Sequence, residues 1–429
     1  MGFCNKSVCL SLTGLRVAGL FAMCLLTACG GGGGNSSKAP SPTLPSSTAV
    51  SSVTPSSVVS STALSFTALS STVPSSTAAS LVSSAASSQS SALPGNRKLE
   101  HVSWSFNTKS KVRSTAVTTD NNVIFGVEGG MLYALDLETG SERWRLDTGG
   151  AVSSHLLLAD GKVIFLNHSG KIMAVDAAVG TQVWVKTTTG EHFRPWGHHL
   201  ASALLADDRV YIGSSSGKVY GLMLDTGEEV WSVDVQSAIH TKPALVDGTL
   251  YVSSDTAVHA INIATKSQRW SVSLNNPTSP AVEGNTLVVG GRDANVHGLD
   301  ATTGAELWRV PHGMDWVSGD AVILDGIAYI GSSDDETFQA IDRVTGSLKW
   351  QISTGGNVFA RAAFEGDIAY ISSGDSYATP GSGMVQAVNK SGRVQWTMSG
   401  KNFFASPVVK NSKVYIGSDD GYFYAMPAL

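Results

Sequence analysis

The chain has 429 residues, with 29 Lys and Arg against 34 Asp and Glu, and its four cysteines are Cys4, Cys9, Cys24 and Cys29. With every cysteine upstream of residue 30, the folded part has no disulfide, no thiolate metal site and no cysteine nucleophile. Four basic residues (Lys6, Arg16, Lys38, Arg97) and no acidic ones precede Lys98, leaving the remainder at 25 − 34 = −9, which lacks the basic footprint of a nucleic-acid binder.

Lys6 and Arg16 precede the apolar run VAGLFAMCLL at 17–26, which has signal-peptide length and is short for a membrane span. It ends in Leu26-Thr27-Ala28-Cys29, which resembles a lipobox. That resemblance implies a signal peptide at 1–28 and a lipidated Cys29 as the mature N-terminus; the competing reading is a plain secretory signal. Gly30 follows where an aspartate would signal inner-membrane retention, so the expected location is the outer membrane, on its periplasmic side or at the cell surface. Acyl chains such as palmitate would anchor the chain without a spanning helix.

Residues 29–97 read as a tether. Serine, alanine, threonine, valine and proline dominate, and such a segment buries too little apolar surface to offset its ordering entropy. As a coil it would reach about 45 Å, taking ~5–6 Å × √n.

The segment HVSWSFNT at 101–108 then supplies a strand carrying Trp104, with no hairpin before it. From residue 133 a pattern recurs: YALDLETGSERW ending at Trp144, MAVDAAVGTQVW at Trp184, YGLMLDTGEEVW at Trp231 and HAINIATKSQRW at Trp270. HGLDATTGAELW follows, ending at Trp308, then QAIDRVTGSLKW at Trp350 and the shortened QAVNKSGRVQW at Trp396. Successive tryptophans lie 38 to 47 residues apart, the length of a four-stranded propeller blade.

Each repeat has an upstream half of short alternating strands joined by tight turns, as in SPVV at 406–409, KVYIG at 413–417, SDDG at 418–421 and YFYA at 422–425. An Asp such as Asp136 accepts backbone N–H groups of the following turn, Gly140 takes positive φ without steric cost, and the indole packs between blades. Met223 replaces the Asp in the third repeat and Lys266 replaces the Gly in the fourth, so those turns are expected to be looser or differently shaped.

The last repeat has three strands and no tryptophan strand, whereas Trp104 sits on a strand with no blade of its own. Joining them predicts an all-β fold at 98–429: an eight-bladed β-propeller of four-stranded antiparallel blades, the last closed by the N-terminal strand. A seven-bladed count would leave the lone strand or the last hairpin unpaired.

Ala134, Asp136, Gly140 and Trp144 resemble the tryptophan-docking motif Ala-x-Asp-x-x-x-Gly-x-x-x-Trp of the PQQ-type, quinoprotein-like propeller repeat. The resemblance spans 98–429 and implies the fold rather than a function. One branch, the quinoprotein dehydrogenases, implies pyrroloquinoline quinone with calcium, a vicinal disulfide and long insertions. The absence of cysteine beyond residue 29 and the near-minimal repeats disfavour it. Lipidation, blade number and compactness instead resemble the non-catalytic BamB family of outer-membrane assembly lipoproteins. That branch implies no cofactor, and an outer-membrane or periplasmic protein as partner.

Strand parity places inter-blade loops and second-to-third-strand hairpins on one face. Two insertions, at 191–200 and 374–383, fall there, with Phe193, Trp196, His198 and His199 in the first and Tyr377 in the second. Inter-blade segments add Trp316, Phe359, Phe403 and Phe404. These rings form either an exposed surface for a protein or a polysaccharide, or a plug over the core. His192, His198 and His199 read as polar loop residues, since their spacing enforces no convergence on a metal.

Aligned inner strands place Thr115, His155, Ser202, Lys242, Ser279, Asp320, Arg361 and Ser406 at one position lining the axial channel. His155, Lys242, Asp320 and Arg361 are expected to make a mixed-charge, hydrated ring; acid–base chemistry is the competing use. No phosphate-binding glycine loop, zinc-protease motif or serine triad is present, so no catalytic residue is assigned.

Overall fold

The computed structural model describes residues 97–98, 101–188, 191, 200–314, 316–375 and 382–428. Cys29, Phe193, Trp196, His198, His199 and Tyr377 lie outside the described residues.

Eight antiparallel sheets make up the described part, and no helix occurs among its residues. The first blade pairs Val117–Thr118, Asn122–Gly126, Met131–Asp136 and Glu142–Asp147 in sequence order, and the next six repeat that order. The eighth is built from Val408–Lys410, Lys413–Gly417 and Tyr422–Pro427, with Trp104–Asn107 as its outer strand. The register sets Trp104 against Ala425 and Ser105 against Tyr424. The expected closure by the N-terminal strand is therefore the observed one. Closure leaves no open end at which the ring could pair with another chain.

One strand was not legible in the sequence. Arg97–Lys98 runs parallel to the outer strand of blade seven, with Arg97 facing Trp396 and Lys98 facing Thr397. The chain thus touches blade seven before it enters blade eight.

Local chemistry accounts for the blades. In the second, fourth, sixth and eighth blades the first two strands meet in two-residue turns whose central residues both have positive φ, as Asp160 (46°) and Gly161 (69°) or Asp325 (52°) and Gly326 (76°) do. That is the mirror-image turn whose twist suits a hairpin. The third-to-fourth-strand turn is set by its leading Asp: Asp136 Oδ1 accepts the N–H groups of Glu138 and Thr139 at 3.1 and 2.8 Å.

Met223 and Lys266 correct the expectation of loosened turns. Around Met223 the backbone bonds persist (Gly227 N–H to Met223 O, 2.9 Å; Met223 N–H to Glu228 O, 2.9 Å), as in the first blade. At the fourth blade Lys266 itself adopts φ of 57°, and Asn262 Oδ1 receives the two N–H groups that an Asp would. Packing from the neighbouring indole and strand ladder overrides the local preference, at the ~1–2 kcal/mol cost of a left-handed L-residue.

The tryptophans dock each blade to the next. Trp104 lies on Gly140, where an added Cβ would come within 2.6 Å of the ring, and its Nε1–H donates to Leu137 O at 3.3 Å. The same bond runs from Trp144 to Ala177, Trp184 to Leu224, Trp231 to Ile263, Trp270 to Ala301, Trp308 to Arg343 and Trp350 to Lys390, at 2.7–3.2 Å. Trp396, the eighth, is buried with its Nε1–H unbonded.

Inter-blade segments seal one face. Val112, Val152, Ile239, Val317 and Val358 each pack on the glycine ending the second strand of the preceding blade. A Cβ on those glycines (Gly417, Gly126, Gly213, Gly290 and Gly331) would meet the incoming side chain at 2.2–2.6 Å.

Candidate functional site

The seal explains where the expected surface aromatics go. Phe403 donates its N–H to Ser373 O, as Val358 does to Ser332 O, so it fills the plug position and is 1% exposed. Phe404 sits over Gly374 and is 2% exposed. Of the two alternatives that the sequence leaves open, these two rings take the plug rather than the exposed face. Trp316 and Phe359 remain half-buried and meet edge to face at 5.9 Å. Phe359 in turn meets Phe404 at 5.7 Å, so the half-exposed pair rests on a buried ring.

Two guanidiniums complete this sector, and the sequence reading missed both. Arg292 lies over the Trp316 ring at 5.2 Å, and Arg113 lies over Phe404 at 5.2 Å. Arg113 is also clamped to Asp419 (2.8 and 2.6 Å) and to Glu128 (3.2 Å), bridging blades eight and one. Burial opposes its charge, yet the Asp419 bond and the two carboxylates hold its pKa above the ordinary arginine value. Met314, beside Trp316 in sequence, is 59% exposed and was also overlooked. The available signal was position: Met314 and Trp316 share an inter-blade loop with Val317, the residue that plugs it.

The eight aligned positions are equivalent in the structure. Each of the eight lies two residues before the first strand of its blade, as His155 precedes Leu157–Ala159 and Lys242 precedes Ala244–Val246. A cavity of about 310 Å³ is lined by His155, Lys242, Ser279, Asp320 and Arg361 together with the inner strands. The positions are also linked around the ring. Ser202 Oγ accepts the His155 N–H (3.0 Å), Ser279 Oγ that of Lys242 (2.9 Å), Asp320 Oδ1 that of Ser279 (2.9 Å) and Ser406 Oγ that of Arg361 (2.9 Å). The small residues are therefore acceptors for the preceding blade. Burial, with the Arg361 charge nearby, pushes the Lys242 ammonium below its ordinary pKa, and Asp320 only partly offsets this.

Outside the channel, His297 is fully buried with Nδ1 3.0 Å from Glu306 and Nε2 3.1 Å from Asp293. Burial acts to raise both carboxyl pKa values, but the bonds from His297 hold them below the usual range. Each ring nitrogen has its own carboxylate, an arrangement that orients the ring rather than opening a metal site. Among the described residues no three His, Cys, Asp or Glu side chains are grouped to hold a cation. With no cysteine beyond Cys29, the domain lacks the vicinal disulfide that the resemblance to the dehydrogenase branch implies.

Residues 98–290 and 254–428 match the family described as outer membrane protein assembly factor BamB. The crystal structure of BamB from Moraxella catarrhalis superposes with a TM-score of 0.60 at 20% identity, covering 76% of this chain and 99% of that one. A europium-containing methanol dehydrogenase gives 0.59 at 14% identity, covering 75% and 86%. Quinohemoprotein alcohol dehydrogenase from Comamonas testosteroni gives 0.58 at 14%, covering 76% of each chain. At these identities the superpositions establish the propeller fold alone. No curated protein matches the sequence.

Proposed function

The chain belongs to the BamB family, and on that premise we propose that it is a non-catalytic scaffold, lipid-anchored through Cys29 in the outer membrane, that holds a protein partner. The family match carries this reading, because it runs through all eight blades from residue 98 to 428. The lipobox-like Leu26-Thr27-Ala28-Cys29 supports the anchor, and Gly30 the outer rather than the inner membrane.

The contact surface in this reading is the sector around Trp316, Phe359 and Met314. An aromatic pair braced by a buried ring, beside an exposed methionine, is the kind of rigid apolar anchor on which protein interfaces concentrate their energy. A polysaccharide is less well served. Arg292 already covers one face of Trp316, which a sugar ring would need for stacking. Quinone-dependent oxidation is disfavoured by the cysteine-free domain and by its short repeats.

The test is affinity capture of the full chain from cross-linked cell envelopes, alongside Trp316→Ala and a Met314→Ser/Trp316→Ala double variant. Co-capture of an outer-membrane or periplasmic protein that both variants reduce supports the scaffold. Retention on polysaccharide columns, lost in the same variants, would replace it with glycan binding. Quinone released on heating the purified protein would reverse the non-catalytic reading.

A further inference from the structure

The axial cavity holds an unbalanced set of charges. Lys242 and Arg361 are its full cations, Asp320 its one carboxylate, and His155 stands beside them, so the lining is net positive in a domain whose overall charge is negative. Asp320 is committed to the Ser279 N–H. Among the described residues, neither the Lys242 ammonium nor the Arg361 guanidinium makes a hydrogen bond or an ion pair within 4.0 Å; only their backbone N–H groups are bonded. Elsewhere the pattern differs: Arg113, whose side chain is 11% exposed, is held by two carboxylates.

Half-buried Lys242 and exposed Arg361 share a single carboxylate, Asp320, so one positive charge of the pair is left uncompensated, and Lys242 also loses hydration. Ser279 and Asp320 stand between the two cations around the ring, and the small residues Pro243, Ala244, Pro280 and Ala281 beside them leave the cavity of about 310 Å³ open. That is the lower end of ligand-site volumes.

We propose that this cavity is a binding site for a small multivalent oxyanion, held between Lys242 and Arg361 with His155 at its margin. The shared chemistry is two or more anionic oxygens, such as those of an inorganic phosphate or of a di- or tricarboxylate. The site lies in the ring interior and does not depend on the partner surface proposed above.

The test is thermal unfolding and titration calorimetry of the full chain in detergent, with phosphate, sulfate or citrate against chloride at equal ionic strength. A saturable rise in the unfolding midpoint with at least one multivalent anion is expected. Affinity should fall about ten- to hundredfold in Lys242→Gln and in Arg361→Gln, and stay unchanged in Lys349→Gln on an outer strand. Response to phosphate and sulfate identifies an inorganic anion; response to citrate alone identifies a carboxylate. In chloride, Lys242→Gln should unfold no earlier than wild type, because it removes a repelled charge. The proposal is overturned if no multivalent anion exceeds chloride, if the Lys242→Gln/Arg361→Gln double variant binds as tightly as wild type, or if Lys242→Gln is less stable in chloride.

Discussion

Trp104 lies opposite Ala425 in an antiparallel pair, so the strand that opens the propeller and the strand that ends it are neighbours in one sheet. The Trp104 indole reaches on to Gly140 and the Leu137 carbonyl of blade one. One side chain thus takes part in closing blade eight and in docking it to blade one. Trp104→Ala is expected to lower stability by about 3–5 kcal/mol. Urea unfolding reads this as an earlier midpoint with an unchanged slope, and an unshifted midpoint would remove Trp104 from the closure.

Lys266 offers the converse experiment. It holds φ of 57° in a turn where the first, second, third, fifth and sixth blades place glycine. Lys266→Gly should relieve a left-handed L-residue at the smaller expense of a more flexible unfolded chain, for a net gain of about 0.5–1 kcal/mol. Gly140→Ala should destabilise instead, because its φ is 71° and the new methyl would press on Trp104. Paired thermal melts check both signs.

Glu229 sets an acid-side dependence. Its bond from Lys218, against a smaller opposing effect of burial and with Lys186 also near, lowers its carboxyl to about 2. A carboxyl that is more acidic when folded adds stability above its unfolded value, near 4.5, and loses it as pH falls towards 2. The side chain is 25% exposed, so solvent screening discounts the effect to about 0.5–1 kcal/mol. Glu229→Gln should therefore cost that much at pH 7 and almost nothing near pH 2. An equal cost at both pH values would assign the loss to packing.

Phe403 and Trp316 should separate cleanly. Phe403→Ala opens a cavity at a plug position and is expected to cost about 3–5 kcal/mol. Trp316→Ala removes a half-buried ring and should cost much less, while reducing partner capture. Chemical unfolding of the two variants, compared with their capture yields, checks the division of roles; a Trp316→Ala variant as unstable as Phe403→Ala would make Trp316 core.

The blade count and the closure were legible because they rest on side chains repeated at fixed spacing: the indoles from Trp104 to Trp396, and the Asp and Gly residues ahead of them. The channel positions were legible for the same reason, since His155, Lys242, Asp320 and Arg361 sit at one place in the repeat. The place of Phe403 stays open in the sequence because an aromatic in a loop reads alike whether it faces water or a glycine. Only its register against Ser373 distinguishes the two cases. The Arg113 clamp joins residues at opposite ends of the domain, and a one-dimensional pattern carries no trace of such a contact. Lys266 went astray for a related reason: local preference was weighed without the indole of Trp231 that packs on that blade.

The parallel pair of Arg97 and Lys98 with blade seven has a mechanical side. Any pull arriving through the residues ahead of 97 meets this two-residue clip before it reaches Trp104–Asn107. Loss of that two-residue pairing would leave the four-residue pairing of Trp104–Asn107 with the last strand in place, so the seam of the ring would be the second contact to yield.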